Sequence, residues 1–223
     1  MKTIRFLQIA IAQFEMNNKL GGYYHCSIGL DLDTNELTRL YPVGVNTMYK
    51  HCKYEIQVEP MTCRRERSYK PVRIRFIGKQ QREETDLLLN KIPITTIDAL
   101  NDDRLSMGIV DASSKKLMVQ TNMQEVYATQ SCLFDDVAIA KPIIRSHADS
   151  VHKDIRIQFE DKRTDQGYRN LSYNESHFYI GLERNGSLPT TYNSSKWDRL
   201  IVGNLRNHRS TFIGLCLFKS ITQ

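Results

Sequence analysis

Two stretches of this sequence concentrate groups able to hold a polyanion. "LRNHRS", residues 205–210, sets Arg206, Asn207, His208 and Arg209 side by side between two apolar runs. "RRERSYKPVRIRFIGKQQR", residues 64–82, carries eight Lys/Arg against one Glu. In the first, guanidinium and amide donors at a loop tip suit phosphates and base edges, with Gly203 admitting close backbone approach. In the second, Arg73 and Arg75 at alternate strand positions point the same way. Lys70 and Arg65 add to the field, and Tyr69 offers a ring for base stacking, the combination single-strand binders use. The plainer alternatives are a solvated turn for the first stretch and a charged outer strand face for the second.

Other chemistry is less complete. Tyr168, Tyr173, Phe178, Tyr179 and Tyr192 interleave with Arg163, Arg169 and Arg184, and Tyr173 joins the stacking candidates. Rings on an apolar face would instead be core, and the single tryptophan, Trp197, reads as an anchor for the closing strands. Glu160-x-Lys162 ending "IQFEDK" is half of a metal-dependent nuclease signature and needs a further carboxylate, for which Asp135, Asp136, Asp149 and Asp154 are available. Asp31, Asp33 and Asn35 have calcium-loop spacing, but Glu36 replaces the glycine and Pro42 the bidentate Glu, so a hairpin turn is expected. His147 and His152 stand five apart, and Cys52 and Cys63 lack a second pair. With no phosphate loop, nucleophile elbow or metal-ligand set, no catalytic residue and no cofactor are assigned.

The elements that must position these groups are mostly strands. "YYHCSIGLDLDTNELTRLYPV" alternates through Tyr24, Cys26, Ile28, Leu30 and Leu32, turns at Asp33-Thr34-Asn35 and returns, which predicts a β-hairpin. "KYEIQVEP" and "KPVRIRFIGK" continue as strands, the latter with Val72, Ile74 and Phe76 on one side and the arginines on the other. "REETDLLLNKI" predicts a helix ended by Pro93, and Thr96 caps a short turn through "IDALND". Strand patterns resume in "MGIVDA", "KKLMVQT", "DVAIAKPIIRS", "DIRIQFED", "HFYIGLER", "RLIVGN" and "TFIGLCLFK". The expected architecture is mainly β, with two tandem small β-barrels over residues 1–79 and 105–223 and a short helical connector at 80–104.

Composition agrees with a globular chain of 223 residues, 40% apolar and 25% charged. The net charge of +6 is uneven: residues 64–82 hold +7 and residues 196–219 hold +4, which leaves −5 elsewhere. Localised positive field on an acidic background favours a polyanionic partner. Five cysteines without a C-x-x-C pair fit free thiols in a reducing compartment. Lys2 and Arg5 before a short apolar patch superficially mimic a signal peptide, but Gln8 breaks the patch, and no run reaches the roughly 20 apolar residues of a membrane span. A soluble, cytoplasmic protein with no membrane partner is expected.

The strand Cys26-x-x-Gly29-x-Asp31, its acidic turn, the Arg39-bearing return strand and the following "KYEIQVEP" resemble the opening of the bacterial dual OB-fold-containing domain. "IRIQFEDKRTDQGYRNLSYNESHFYIGLERN" and "WDRLIVGNLRNHRSTFIGLCLF" look like that family's second barrel and closing strand. The resemblance covers roughly residues 20–76 and 150–219 and implies two tandem OB folds, with no catalytic residues carried over. Together these readings lead to a non-enzymatic protein that binds nucleic acid, single-stranded DNA or RNA foremost. A protein-interaction subunit of a larger bacterial assembly is the alternative, and a metal-dependent nuclease a further one.

Overall fold

The computed structural model describes residues 1–61, 66–122, 152–161, 168–188, 192, 194–205 and 210–221. The first half folds into a closed five-stranded barrel of β1 (Lys2–Ile11), β3 (Gly22–Asp31), β4 (Glu36–Gly44), β5 (Cys52–Pro60) and β6 (Ser68–Lys79). Around the barrel the order is β1-β5-β6-β4-β3 and back to β1, with β4 and β6 parallel and every other pair antiparallel. Closure leaves none of these five strands as a free edge. A short β2 (Glu15–Asn17) adds outside β3.

The expected hairpin is there: Asp31 pairs with Glu36, and Asn35 takes the left-handed conformation (φ 57) that its turn requires. β1 shows no alternation in its sequence, because both its faces are apolar. Ile4 and Phe6 fill the barrel interior with Leu40, Tyr54, Ile56 and Val58, while Leu7 and Ile9 face outward. Where β1 crosses β3 the backbones nearly touch. A Cβ on Gly29 would lie 2.2 Å from the Leu7 carbonyl oxygen and 2.4 Å from Phe6 Cζ.

Next come α1 (Arg82–Leu89), β7 (Ile94–Thr95) and α2 (Ile97–Asp102), the last capped by Thr96 Oγ1, which accepts from Ala99 N at 3.1 Å. A four-stranded sheet has the order β13-β12-β8-β7, from β13 (Phe212–Phe218), β12 (Arg199–Asn204) and β8 (Met107–Asp111). A three-stranded sheet has the order β11-β10-β9, from β11 (Tyr168–Ser172), β10 (His152–Glu160) and β9 (Lys116–Asn122). One parallel bridge, Tyr173 to Gly214, links the two sheets. "HFYIGLER" is not a strand: it forms α3 (Ser176–Asn185), because Phe178, Tyr179 and Leu182 recur at helical spacing and share one buried face. Its aromatic content imitates a strand. "DVAIAKPIIRS" lies outside the described residues.

The two halves share a core. Leu7, Ile9, Cys26, Ile28, Leu30 and Tyr41 on the barrel's outer face pack with Leu89 of α1 and with Ile109, Ile201, Ile213 and Leu215. On the far side, Val110, Leu200 and Val202 pack with Ile155, Ile157, Tyr173, Phe178 and Trp197. A second closed barrel is not formed by hydrogen-bonded strands among the described residues. Nor is any helix among them long and apolar enough to cross a membrane.

Two stability predictions follow from this packing. Gly29→Ala drives a methyl into backbone and should cost about 3 kcal/mol or more. Gly181→Ala, a helical position with nothing within 4 Å, should be neutral or stabilise by up to about 1 kcal/mol. Equal urea midpoints for the two variants would contradict the close crossing.

The second concerns His25, 2% exposed on β3 with Nε2 3.1 Å from Ser27 Oγ and no hydrogen-bond partner for Nδ1. Burial pulls its pKa down from 6.5 to about 4. Between those values the unfolded chain holds the extra proton, so the stability is complete above pH 6.5 and lost as pH falls towards 4, by at most about 1.4 kcal/mol per unit. Asp86, pushed up to about 6 by burial, acts in the opposite sense over the same range. The informative comparison is therefore wild type against His25→Asn, whose urea-derived stability should fall less steeply on acidification. Parallel slopes would clear His25 of the effect.

Candidate nucleic-acid interface

The arginine stripe stands where alternation placed it, on the solvent side of β6, but it is not bare. Its neighbour β5 aligns Glu55 with Arg75, Gln57 with Arg73 and Glu59 with Lys70. Arg75 Nη2 lies 2.8 Å from Glu55 Oε1, and Lys70 Nζ lies 4.0 Å from Glu59 Oε2. These pairs are largely exposed, and exposed pairs contribute only about 0–1 kcal/mol, so a phosphate can displace the carboxylates cheaply. Arg73 is exposed as well.

Two register shifts, between Lys53 and Tyr54 and between Gln57 and Val58, alter the other face of β6. Of Val72, Ile74 and Phe76, which alternation placed on the side opposite the arginines, only Ile74 packs on the barrel core. Val72 and Phe76 are exposed, as is Ile77. Tyr69 is half-buried against the same core, with Lys2 Nζ 5.9 Å from its ring centre.

Phe76 forms one wall of a groove of about 590 Å³ whose other walls are Tyr49, Lys50, His51, Lys79 and Gln80. Tyr49 and Phe76 are 58% and 55% exposed, so both rings have free surface. The connection from β4 to β5 that carries Tyr49, Lys50 and His51 is pinned at several points. Tyr54 Oη accepts from Tyr49 N at 2.8 Å, His51 N donates to Gln8 O at 2.8 Å, and Gln80 N donates to His51 O at 2.8 Å. His51 itself sits at φ 57, and its Nδ1 is 3.2 Å from Thr85 Oγ1 on α1. Burial, then the cations Lys50 and Arg82, lower its pKa to about 4, against Glu83.

Behind the groove lies a charged junction between the halves. Lys50 Nζ donates to Glu175 Oε1, and Glu175 is 1% exposed at the N-terminus of α3. Tyr173 Oη donates to Glu175 Oε2 and accepts from Leu217 N at 3.1 Å. His177 Nδ1 is 3.4 Å from Lys50 Nζ and 3.2 Å from Glu175 Oε1. Burial, with Lys50, Arg82 and His51, holds His177 down to about 3. Arg82 stacks 4.0 Å from the Trp197 ring centre, and its buried Nε has no hydrogen-bond partner.

Of the residues expected to contact nucleic acid, Lys70, Arg73 and Arg75 share one exposed face and Tyr69 lies at its inner margin. Arg65, Arg206, Asn207, His208 and Arg209 lie outside the described residues. The strands flanking the last four pair as a hairpin, Asn204 with Phe212. Tyr173 is corrected: it is 0% exposed, edge-on to Phe178 at 4.9 Å, and has no surface on which a base could stack. Gly203 does admit a close approach, but by Arg39, whose Nη2 would be 2.7 Å from a Cβ there. Glu160 accepts from Tyr168 Oη at 2.9 Å, and Lys162 is outside the described residues. Among the described residues no group of three or more His, Cys, Asp or Glu side chains is placed to hold a metal ion.

The groove residues escaped sequence reasoning. Tyr49-Lys50-His51 is a cationic aromatic run in a connection, a signal that was available, but Arg82 and His177 join it only through contacts between distant segments. No protein-family model matches the chain, and neither a curated protein nor a solved structure matches it.

Proposed function

We propose that this protein binds single-stranded nucleic acid along β6 and into the adjoining groove, without catalysis. One observation carries the reading: the exposed Lys70, Arg73 and Arg75 lie on the same strand as Phe76 and Lys79, which wall a groove also bordered by exposed Tyr49 and by Lys50. Cations that follow a backbone beside rings that stack on bases are what sequence-tolerant single-strand binding needs.

The barrel supports the reading through its topology. Numbered along its own five strands, its circuit is 1-2-3-5-4-1 with strands 3 and 5 parallel, an arrangement we read as OB-like. The second half follows the same order if β8 and β9 together count as its first strand, the Tyr173–Gly214 bridge is the parallel join of β11 and β13, and α3 lies between β11 and β12. Tandem OB-like barrels are therefore our assignment. OB folds commonly bind oligonucleotides on strands 2 and 3, here β3 and β4, whose outer face is covered by the second half. The β5–β6 side is what remains open.

Val72 and Ile77, each 50% exposed beside the arginines, favour a protein partner as the second reading.

Fluorescence anisotropy with labelled single-stranded DNA, single-stranded RNA and duplex DNA across a salt series tests the proposal. Affinity should fall with salt, and Arg73→Ala should reduce the log–log slope by about 0.7, one phosphate's worth on a single strand. Phe76→Ala and Tyr49→Ala should each weaken binding by about 1–3 kcal/mol, the worth of one stacked base. No binding at low salt, or an affinity indifferent to salt, would transfer the assignment to a protein partner.

A further inference from the structure

At the junction behind the groove, no carboxylate among the described residues lies within ion-pair distance of Arg82. Lys50 is balanced by Glu175. Arg82 makes no hydrogen bond or ion pair among the described residues, and its Nε is buried. Asp86, one helical turn along α1, is itself buried, which pushes its carboxyl up to about 6, and it is drawn to Lys219 as well as to Arg82. Two imidazoles, His51 and His177, stand close enough to feel both Lys50 and Arg82 and are held neutral at pH 7. The groups come from three segments: the β4–β5 connection, the start of α1 and the start of α3. Their spacing is maintained by packing, since His177 lies against Phe178 and Tyr192, Tyr192 against Trp197, and Trp197 under Arg82.

We propose that Arg82, Lys50, His51 and His177 form a site for a phosphomonoester, so that the groove takes the phosphorylated end of a strand or a mononucleotide, with its base between Tyr49 and Phe76. The proposal rests on the nucleic-acid reading for the identity of the ligand, but not for the existence of the site. A groove of about 590 Å³ is in the range of pockets that hold small ligands. A phosphodiester brings one negative charge, which Arg82 alone would meet. A monoester brings nearly two near neutral pH, and the second draws a proton from solvent onto one of the imidazoles. The groups facing His177 are Lys50, Arg82, His51 and Glu175, and those facing His51 are Lys50, Arg82, Thr85 and Glu83. In each set the incoming dianion offsets the cations that, after burial, hold the ring neutral. No covalent step is involved.

The test pairs histidine-ring NMR with anisotropy on the full chain. Inorganic phosphate and AMP are titrated while the His51 and His177 signals are followed with pH. Oligonucleotides of one sequence are compared with a 5′-phosphate, a 3′-phosphate or hydroxyl ends. The expected result is a rise of about one unit or more in the titration midpoint of at least one of the two histidines. At least one phosphorylated end should also bind about tenfold or more tighter than hydroxyl ends. Arg82→Gln should remove that preference, and Arg82→Lys should restore part of it, which a mere packing role would not do. Lys50 is left intact, because its loss would strand Glu175 as an uncompensated buried charge and unfold the junction.

Equal affinity for all ends together with unmoved histidines overturns the site while leaving nucleic-acid binding standing. Retention of the full preference by Arg82→Gln overturns it too. Histidine shifts with phosphate or AMP, in a chain that binds no oligonucleotide, support the site and refute the nucleic-acid reading, with a free phosphate or small phosphomonoester as the ligand source.

Discussion

The sheet formed by β7, β8, β12 and β13 has no solvent face along its central strands. Ile201 and Ile213 enter the cluster shared with β1, β3 and β4, whereas Leu200 and Val202 enter the cluster under β10 and α3. Each such side chain contributes about 1.5–3 kcal/mol when fully buried, and the same strands serve two cores at once. Folding either half therefore depends on the sheet between them. That dependence explains the unbroken apolar text of "RLIVGN" and "FIGLCLF", which resembles strands of a parallel sheet more than the alternating strands of an exposed antiparallel one. It also explains Gly203: a strand pressed between two cores has no room for a Cβ where the Arg39 guanidinium and Leu215 meet it.

The same packing determines where chemistry is possible. With the outer face of β1, β3 and β4 given over to the interface, the barrel's polar surface is left on β5 and β6 and at the connection between β4 and β5. There the charges are arranged at two depths. On the strand face they are exposed and exchangeable, because Glu55 and Glu59 meet Arg75 and Lys70 in water. At the junction they are enclosed, and each ion lost from solvent needs a close partner. Glu175 has three in Lys50, Tyr173 and His177, and this network ties the barrel's connection to the first turn of α3. Arg82 has the Trp197 ring beneath it and a buried Nε without a hydrogen-bond partner.

The hairpin from β3 to β4, the strands β5, β6, β8, β9, β10, β12 and β13, and both helices of the central segment were legible, because local periodicity and turn residues define them. β1 and α3 were not. In β1 both faces are apolar, so alternation vanishes, and in α3 aromatic and β-branched residues at helical spacing compose a segment short enough to pass for a strand. The basic stripe of β6 was legible as a stripe, but the carboxylates beside it belong to another strand, and two bulges decide which of its apolar residues face water. Tyr173 was unreadable for a related reason: nothing local distinguishes a wet tyrosine from one whose hydroxyl serves a buried Glu175.

By itself, then, the sequence determined a mainly β chain, its principal strands, the placing of Arg73 and Arg75 on one side of β6 and the lack of an apolar run long enough to span a membrane, all properties that depend on residues within one element. Tertiary structure alone decided that the first five long strands close into a barrel and that its β3–β4 face is covered. It also decided that Tyr49, Lys50 and His51 line one groove and that His177 and Arg82 stand near Lys50 and His51 behind it. Those outcomes depend on contacts between segments as far apart as Lys50 and Glu175, and neither periodicity nor local propensity carries information over that separation.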